Sequence, residues 1–162
     1  MKISEGVEWA VHCLLLLAVV PEERPLSAAR LAEFHGVPAP YLAKHLQSLS
    51  RAGLVDTVPG PGGGYRLARP AAAVSVLDVL LAIEGPGPAF SCAEIRRNGP
   101  AGLDDGCYLS VCAVNRTMGR AEAAYRAVLA ETSVASLVDV MMADAHPEGL
   151  RRGAEWLGQV LA

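Results

Sequence analysis

Three cysteines lie close together in the second half of this 162-residue chain: Cys92, Cys107 and Cys112, with the spacing Cys-x14-Cys-x4-Cys. Thiolates bind iron and zinc and carry out redox chemistry, so three in one stretch indicate a metal or redox site. The residues alone leave four readings open. These are an iron–sulfur centre, a structural zinc site, a thiol switch without metal, and inert buried cysteines.

A second set of possible ligands lies near the N-terminus. Glu8 and His12 are four residues apart, so on a helix they share one face and could reach a single metal ion. The alternative is a solvated helical pair worth about 0.2–0.5 kcal/mol. Cys13 falls on a different face among the leucines 14–17, and we expect it in the core.

The elements that must position these residues are predicted to be helices. Apolar periodicity predicts a first helix over residues 4–20, and a second from Ala28 to His35 between a capping Ser27 and Gly36. A third helix is predicted over residues 38–52, with its prolines in the first turn, where no amide hydrogen bond is lost.

The second and third helices, joined across Gly36-Val37, match a helix-turn-helix. Residues 54–58 and 65–67 predict a β-hairpin whose turn holds four glycines. Such a turn lets the backbone approach a phosphate chain closely, although an ordinary flexible hairpin is the alternative. Directly after a helix-turn-helix, the pattern favours a DNA-binding wing.

The rest of the chain predicts a long loop and further helices. Ser75 and Asp78 form a capping box that opens a short helix ending at Ile83. Residues 85–111 have no sustained period, and a loop of that length is usually functional or disordered. Three more helices are predicted over residues 113–131, 133–143 and 147–161.

Composition excludes some functions and leaves others open. Hydrophobic residues make up 52% and aromatics 5%, which favours packed helices over sheets. Residues 1–70 hold seven Lys/Arg against six Asp/Glu, and residues 71–162 hold seven against eleven, so charge neither supports nor excludes DNA binding. No catalytic motif is present, so we expect no enzyme. The apolar run at residues 10–20 is preceded by acidic residues and interrupted by His12, which predicts a cytoplasmic protein with reduced thiols.

Particular residues make the chain resemble the Rrf2 family of winged-helix transcription regulators, which includes the iron–sulfur cluster assembly regulator and the nitric-oxide-sensing repressor. The resemblance covers residues 1 to about 130. It is carried by Leu31-Ala32-Glu33, Gly36-Val37, Tyr41-Leu42, Leu46, Leu49, Ala52-Gly53-Leu54-Val55, Gly60-Pro61-Gly62-Gly63-Gly64-Tyr65-Arg66-Leu67 and Ile83-Glu84-Gly85.

This resemblance implies a mainly α fold with a small β-wing. It also implies a homodimer formed by the long helix after the loop, a roughly palindromic double-stranded DNA operator, and regulation as a repressor, with no membrane and no small-molecule substrate. The expected division is a winged helix-turn-helix at residues 1–84, a cysteine-bearing cluster-binding loop at 85–112, and the dimerisation and C-terminal helices at 113–162.

The resemblance also implies a cofactor. Many family members hold an iron–sulfur cluster near the dimer interface, and an acidic residue at the position of Glu8 can be a ligand. We therefore expect a 2Fe–2S cluster with Cys92 and Cys112 on one iron and Glu8 and His12 on the other, the helix and the loop coming from one subunit or from two. The alternative set replaces one of Glu8 and His12 by Cys107. The wider cysteine spacing departs from those two relatives.

Two further expectations concern signalling and DNA. Trp9, beside the first-helix ligands, is the expected signal relay. Family members contact DNA from early positions of the third helix, while Pro59 here replaces an arginine that enters the minor groove in some relatives. The expected DNA-binding residues are Pro40, Tyr41, Ala43, Lys44, Gly62, Gly63 and Gly64.

Overall fold

A computed structural model describes residues 3–162 of the chain, without the side chain of Asp105. It confirms a mainly α fold with one two-stranded antiparallel sheet. The helices are α1 Glu5–Val19, α2 Ala28–His35, α3 Ala39–Arg51, α4 Val76–Glu84, α5 Ala113–Glu131, α6 Val134–Asp144 and α7 Pro147–Leu161, and the strands are β1 Val55–Val58 and β2 Gly64–Leu67.

Helix α1 lies at the centre of the core. It contacts α2, α3, α4, α6 and β2, and its stretch from Cys13 to Leu17 is entirely buried. Leu42, Leu46 and Leu49 of α3 pack in the same cluster and are fully buried. Because α1 is apolar on most of its surface, burying it provides much of the hydrophobic free energy that holds the helix-turn-helix in place.

Local capping explains where α2 begins and ends. The Ser27 hydroxyl accepts a hydrogen bond from the amide of Arg30, which starts α2. Gly36 ends α2 in the left-handed region at φ 64°, and its amide donates back to the last turn. The predicted tight connection between α2 and α3 is therefore present.

The N-terminal ends of α4 and α6 are joined to each other. Ser75 with Asp78, and Ser133 with Ser136, each form a reciprocal capping box. An isolated antiparallel bridge pairs Ser75 with Ser133, so the two helix starts lie side by side. This contact fixes the C-terminal helices to the winged domain.

The wing is attached to the domain by a bridge that the sequence did not indicate. Tyr65 and Leu26 exchange two backbone hydrogen bonds, at 2.8 and 3.0 Å. A Cβ atom on Gly64 would lie 2.3 Å from the carbonyl carbon of Leu26, and one on Gly63 would lie 2.0 Å from the carbonyl oxygen of Val58. These two glycines are therefore required by contacts inside the protein.

The loop and α5 form a second, thinly packed region. Two short 3-10 turns, Ile95–Arg97 and Asp105–Cys107, lie within the predicted loop. Among the side chains described, none between residues 85 and 131 is buried. None of the helices within residues 3–162 is long and apolar enough to cross a membrane.

The two ends of the glycine run should differ in their tolerance of a side chain. We expect Gly64→Ala to destabilise the protein by about 1–3 kcal/mol, because the added methyl group overlaps the Leu26 backbone. Gly62→Ala is the matched control, since nothing lies within 4 Å of its Cβ position, and it should change stability by less than about 0.5 kcal/mol. Urea unfolding measures both, and equal stabilities for the two variants would contradict the bridge.

Candidate metal and DNA-binding sites

The structure brings Cys92 and Cys112 together. Cys92 lies in the loop and Cys112 is the N-cap residue of α5, 20 positions later, and both are half-buried. The Cys92 side chain lies close enough to Cys112 to lower the pKa of the Cys112 thiol. The amide of Glu94 in turn points at the Cys92 sulfur, 3.4 Å away. Two predicted ligands thus form a dithiol pair within one chain.

The surroundings of this pair favour a thiolate. The pKa of the Cys112 thiol lies below its usual value, first because the amides of Asn115 and Val114 face the sulfur, and further because Cys92 and Arg96 stabilise the anion, while desolvation opposes the shift. Neither amide makes a cap hydrogen bond of normal geometry, so we attribute their effect to the dipole of the α5 N-terminus. Deprotonated sulfur is the form that binds metal.

The other cysteines are placed differently. Cys107 is free and exposed in the second 3-10 turn. Cys13 is fully buried, as expected for a core residue, and burial raises the pKa of its thiol to about 12. Cys13 is therefore protonated and unreactive at neutral pH.

Glu8 and His12 lie on α1 and are both exposed. Within residues 3–162 of one chain, no three His, Cys, Asp or Glu side chains converge on a point that could hold a metal ion. The first-helix pair and the dithiol pair are thus separate sites in a single copy. The His12 ring instead lies 5.8 Å from the ring of His35, and Phe34 connects His35 to Trp156 of α7.

Trp9 contacts the third helix directly. Its ring meets the His45 ring edge-on at 6.1 Å between centroids. A Cβ atom on Gly6 would lie 2.4 Å from the His45 imidazole, so α1 and α3 approach closely here. Burial, and secondarily the charge of Lys44, lowers the pKa of His45. Sequence periodicity cannot reveal such a contact between segments that are distant in the chain.

The outer face of α3 carries the predicted DNA-binding residues. Pro40, Tyr41 and Lys44 are exposed, and Tyr41 retains 66% of its accessible surface. Ala43 is half-buried. An exposed aromatic ring and a cation on one helix face suit phosphate and base-edge contacts.

Two further residues extend this face beyond the sequence prediction. Gln47 and Arg51 are both exposed, and Arg51 donates through its Nε to the carbonyl oxygen of Gln47 at 3.3 Å. Gln47 and Arg51 follow Lys44 by three and seven residues, which is the spacing of residues on one helix face. That spacing is the sequence signal by which they could have been found. In the wing, Gly62 is exposed while Gly63 and Gly64 are half-buried, and their contact with DNA stays a prediction.

Comparison with known proteins agrees with this architecture. A sequence model of the Rrf2 family, described as an iron-dependent transcriptional regulator, matches residues 3–140. The HTH-type transcriptional regulator YffB of Lactococcus lactis is 35% identical over 139 residues, which cover 86% of this chain and 88% of YffB. Both matches are thus to proteins described as transcriptional regulators.

Solved structures share the same fold. CymR, the global cysteine regulator of B. subtilis, superimposes with a TM-score of 0.68 at 25% identity, over 86% of this chain and 98% of CymR. IscR of T. potens gives a TM-score of 0.67 at 24% identity, over 90% of this chain and 93% of IscR. With its winged helix-turn-helix and a family model that matches most of its length, this chain belongs to the Rrf2 family of DNA-binding transcriptional regulators.

Proposed function

We propose that this regulator is a redox-responsive repressor in the cytoplasm, binding a roughly palindromic operator as a homodimer and sensing through a 2Fe–2S cluster. The observation that carries the proposal is the pair of facing thiols, Cys92 and Cys112, at the N-terminus of α5. A half-buried dithiol whose anion is stabilised suits binding to iron. The proposal retains the three-part division into residues 1–84, 85–112 and 113–162.

The surface of α5 supports a homodimer. Within one chain this helix of 19 residues buries no side chain, and it exposes Val114, Met118 and Val128 at 60, 43 and 62%. Water-exposed apolar residues along one long helix are typical of an interface that a partner covers. A second copy supplies the same apolar residues, and a two-fold dimer presents two copies of α3 to a palindromic operator.

The dimer also supplies the donors that one chain lacks. A 2Fe–2S cluster takes four protein ligands, and the described part of one copy brings only Cys92 and Cys112 together. Glu8 and His12 are exposed and share a face of α1, so one copy's α1 and the other copy's loop would complete a set of two sulfurs, one carboxylate and one imidazole. The alternative set uses Cys107, which is exposed and not in a disulfide.

When bound, such a cluster supplies a one-electron redox change, with a potential raised by the non-sulfur ligands. The chain's own residues would carry the response to DNA. Glu8 and His12 flank Trp9, which contacts His45. His45 directly follows Lys44, whose side chain lies on the exposed face of α3. A small rotation of α1 would therefore be passed directly to the recognition helix.

A second candidate function rests on the same pair without metal. Two facing thiols can lose two electrons and two protons to an oxidant and form a disulfide. The protein would then be a thiol-switched or zinc-binding regulator of the same fold, acting through protein partners. The proximity of Cys92 to Cys112 favours this reading as well, so iron content separates the two.

Purification without oxygen tests the cofactor. We expect a coloured protein with visible charge-transfer absorption that bleaches on reduction, and we expect Cys92→Ala and Cys112→Ala to abolish it. Glu8→Ala and His12→Ala should lose or alter the colour, while Cys107→Ala is the matched control that keeps it. Colour retained in both Cys92→Ala and Cys112→Ala would refute the assignment. Colour lost with Cys107→Ala and with just one of Glu8→Ala and His12→Ala would select the alternative ligand set.

Lys44 tests the DNA-reading face. We expect Lys44→Ala to weaken operator binding by about 1–3 kcal/mol and to reduce the salt dependence by about one ion per lysine, because it removes a phosphate or guanine contact. Arg152→Ala, which removes one exposed positive charge from α7, is the matched control. Fluorescence anisotropy at several salt concentrations measures both variants, and identical losses for the two would argue against α3 as the reading helix.

Trp9 tests the path from α1 to α3. In a Trp156→Phe chain, Trp9 is the remaining tryptophan, and we expect its emission wavelength to shift on reduction because its contact with His45 changes. The Trp9→Phe chain measures the contribution of Trp156 alone. An unchanged Trp9 emission maximum in oxidised and reduced protein would count against α1 as the conduit.

A further inference from the structure

One side chain connects the two cysteine-bearing segments of the loop. Arg96 forms a forked ion pair with Glu94, in which its NH2 group lies 2.8 Å from Glu94 Oε2. The same NH2 group donates to the carbonyl oxygen of Ser110 at 3.1 Å. Glu94 is two residues after Cys92 and Ser110 is two residues before Cys112. Arg96 therefore connects the segment that follows Cys92 to the segment that precedes Cys112.

Glu94 holds an unusual backbone conformation at this point. With φ 49° and ψ 50° it lies in the left-handed region, and within residues 3–162 it is the one residue other than glycine with positive φ. This conformation coincides with the approach of its amide to the Cys92 sulfur at 3.4 Å and with its ion pair to Arg96. A strained residue persists only when surrounding contacts hold it, and such residues cluster at functional sites.

Tyr108 completes the connection. Its hydroxyl donates to the carbonyl oxygen of Arg96 at 2.6 Å and accepts from the amide of Leu103 at 3.0 Å. The Arg96 guanidinium lies 4.9 Å from the centre of the Tyr108 ring, within the range of a cation–π contact. The ring thus positions the guanidinium from one face while its hydroxyl holds the backbone.

We infer that Glu94, Arg96 and Tyr108 act as a clasp whose role is to hold Cys92 and Cys112 side by side before any metal binds. The role of the paired cysteines as metal ligands rests on the proposed function, but the inference that the clasp holds them together does not. None of the described side chains between residues 85 and 112 is buried, so within one chain a hydrophobic core does not fix this long loop. Closing such a loop is opposed by chain entropy, and polar contacts must supply the restraint.

The shape of the Arg96 side chain matters as well as its charge, because the guanidinium binds Glu94 and the carbonyl oxygen of Ser110 together. A lysine would keep the charge but has no planar fork, so it could not hold Glu94 through two parallel bonds and reach Ser110 at once. Arg96→Lys therefore separates positioning from simple electrostatic attraction.

Disulfide formation in iron-free, fully reduced protein tests the clasp. The oxidant is diamide, whose N=N bond takes up two electrons and two protons as two thiols become one disulfide. Mass spectrometry of quenched digests measures the rate of the Cys92–Cys112 product. We expect Arg96→Met and Arg96→Lys each to slow this product by at least about tenfold, because the thiols are no longer held in contact. Tyr108→Phe, which keeps the ring, should slow it less.

The choice of disulfide formed also tests the clasp, because a general loss of stability would not change which two cysteines pair. In Arg96→Met, we expect the disulfide to shift from Cys92–Cys112 toward Cys107–Cys112, the pair that is nearer in sequence. Arg152→Met on α7 is the control for a lost charge, and wild type in guanidinium chloride gives the rate without the fold. A wild-type rate and product in Arg96→Met, or full rescue by Arg96→Lys, would overturn the clasp. Because no iron is present, failure of the cluster proposal would leave this result intact.

Discussion

Burial of α1 constrains the helix-turn-helix and the wing. The helix contacts α2, α3, α4, α6 and β2, and its leucines leave almost no room for independent movement. The contact of Trp9 with His45, and the close approach at Gly6, couple α1 to the recognition helix. Any force on the outer face of α1, where Glu8 and His12 lie, must therefore act on α3 as well.

The cysteine loop and α5 follow the opposite principle. Here the chain has no buried side chains among those described, and it relies on polar contacts such as those of Arg96. A region held this weakly opens and rearranges at a low free-energy cost. If the loop senses as proposed, joining it to a rigid helix-turn-helix suits a regulator, because a small chemical event in the loop can then bias a bistable interface.

Local sequence signals predicted the elements but not their contacts. The helix boundaries agree to within about two residues, because Ser27, Gly36 and the Ser75 capping box act on neighbouring residues. The sequence predicts that Gly64 lets the backbone approach DNA. The structure gives a reason inside the protein, because a side chain at this position would overlap the backbone of Leu26. The clasp around Arg96 joins segments 14 residues apart through side chains, which no periodicity encodes.

The proposed sensing site takes ligands from two copies of the chain, so two defective chains should complement each other. One variant carries Glu8→Ala with His12→Ala, and the other carries Cys92→Ala with Cys112→Ala. Each variant alone should form a colourless homodimer, because neither has a complete set of ligands. The two chains are unfolded, mixed in equal amounts and refolded with iron and sulfide, so that half of the dimers are mixed. Each mixed dimer holds one intact site where a wild-type dimer holds two. The visible absorption should therefore recover to about a quarter of the wild-type value. A mixture that stays colourless while refolded wild type regains its colour would contradict the account.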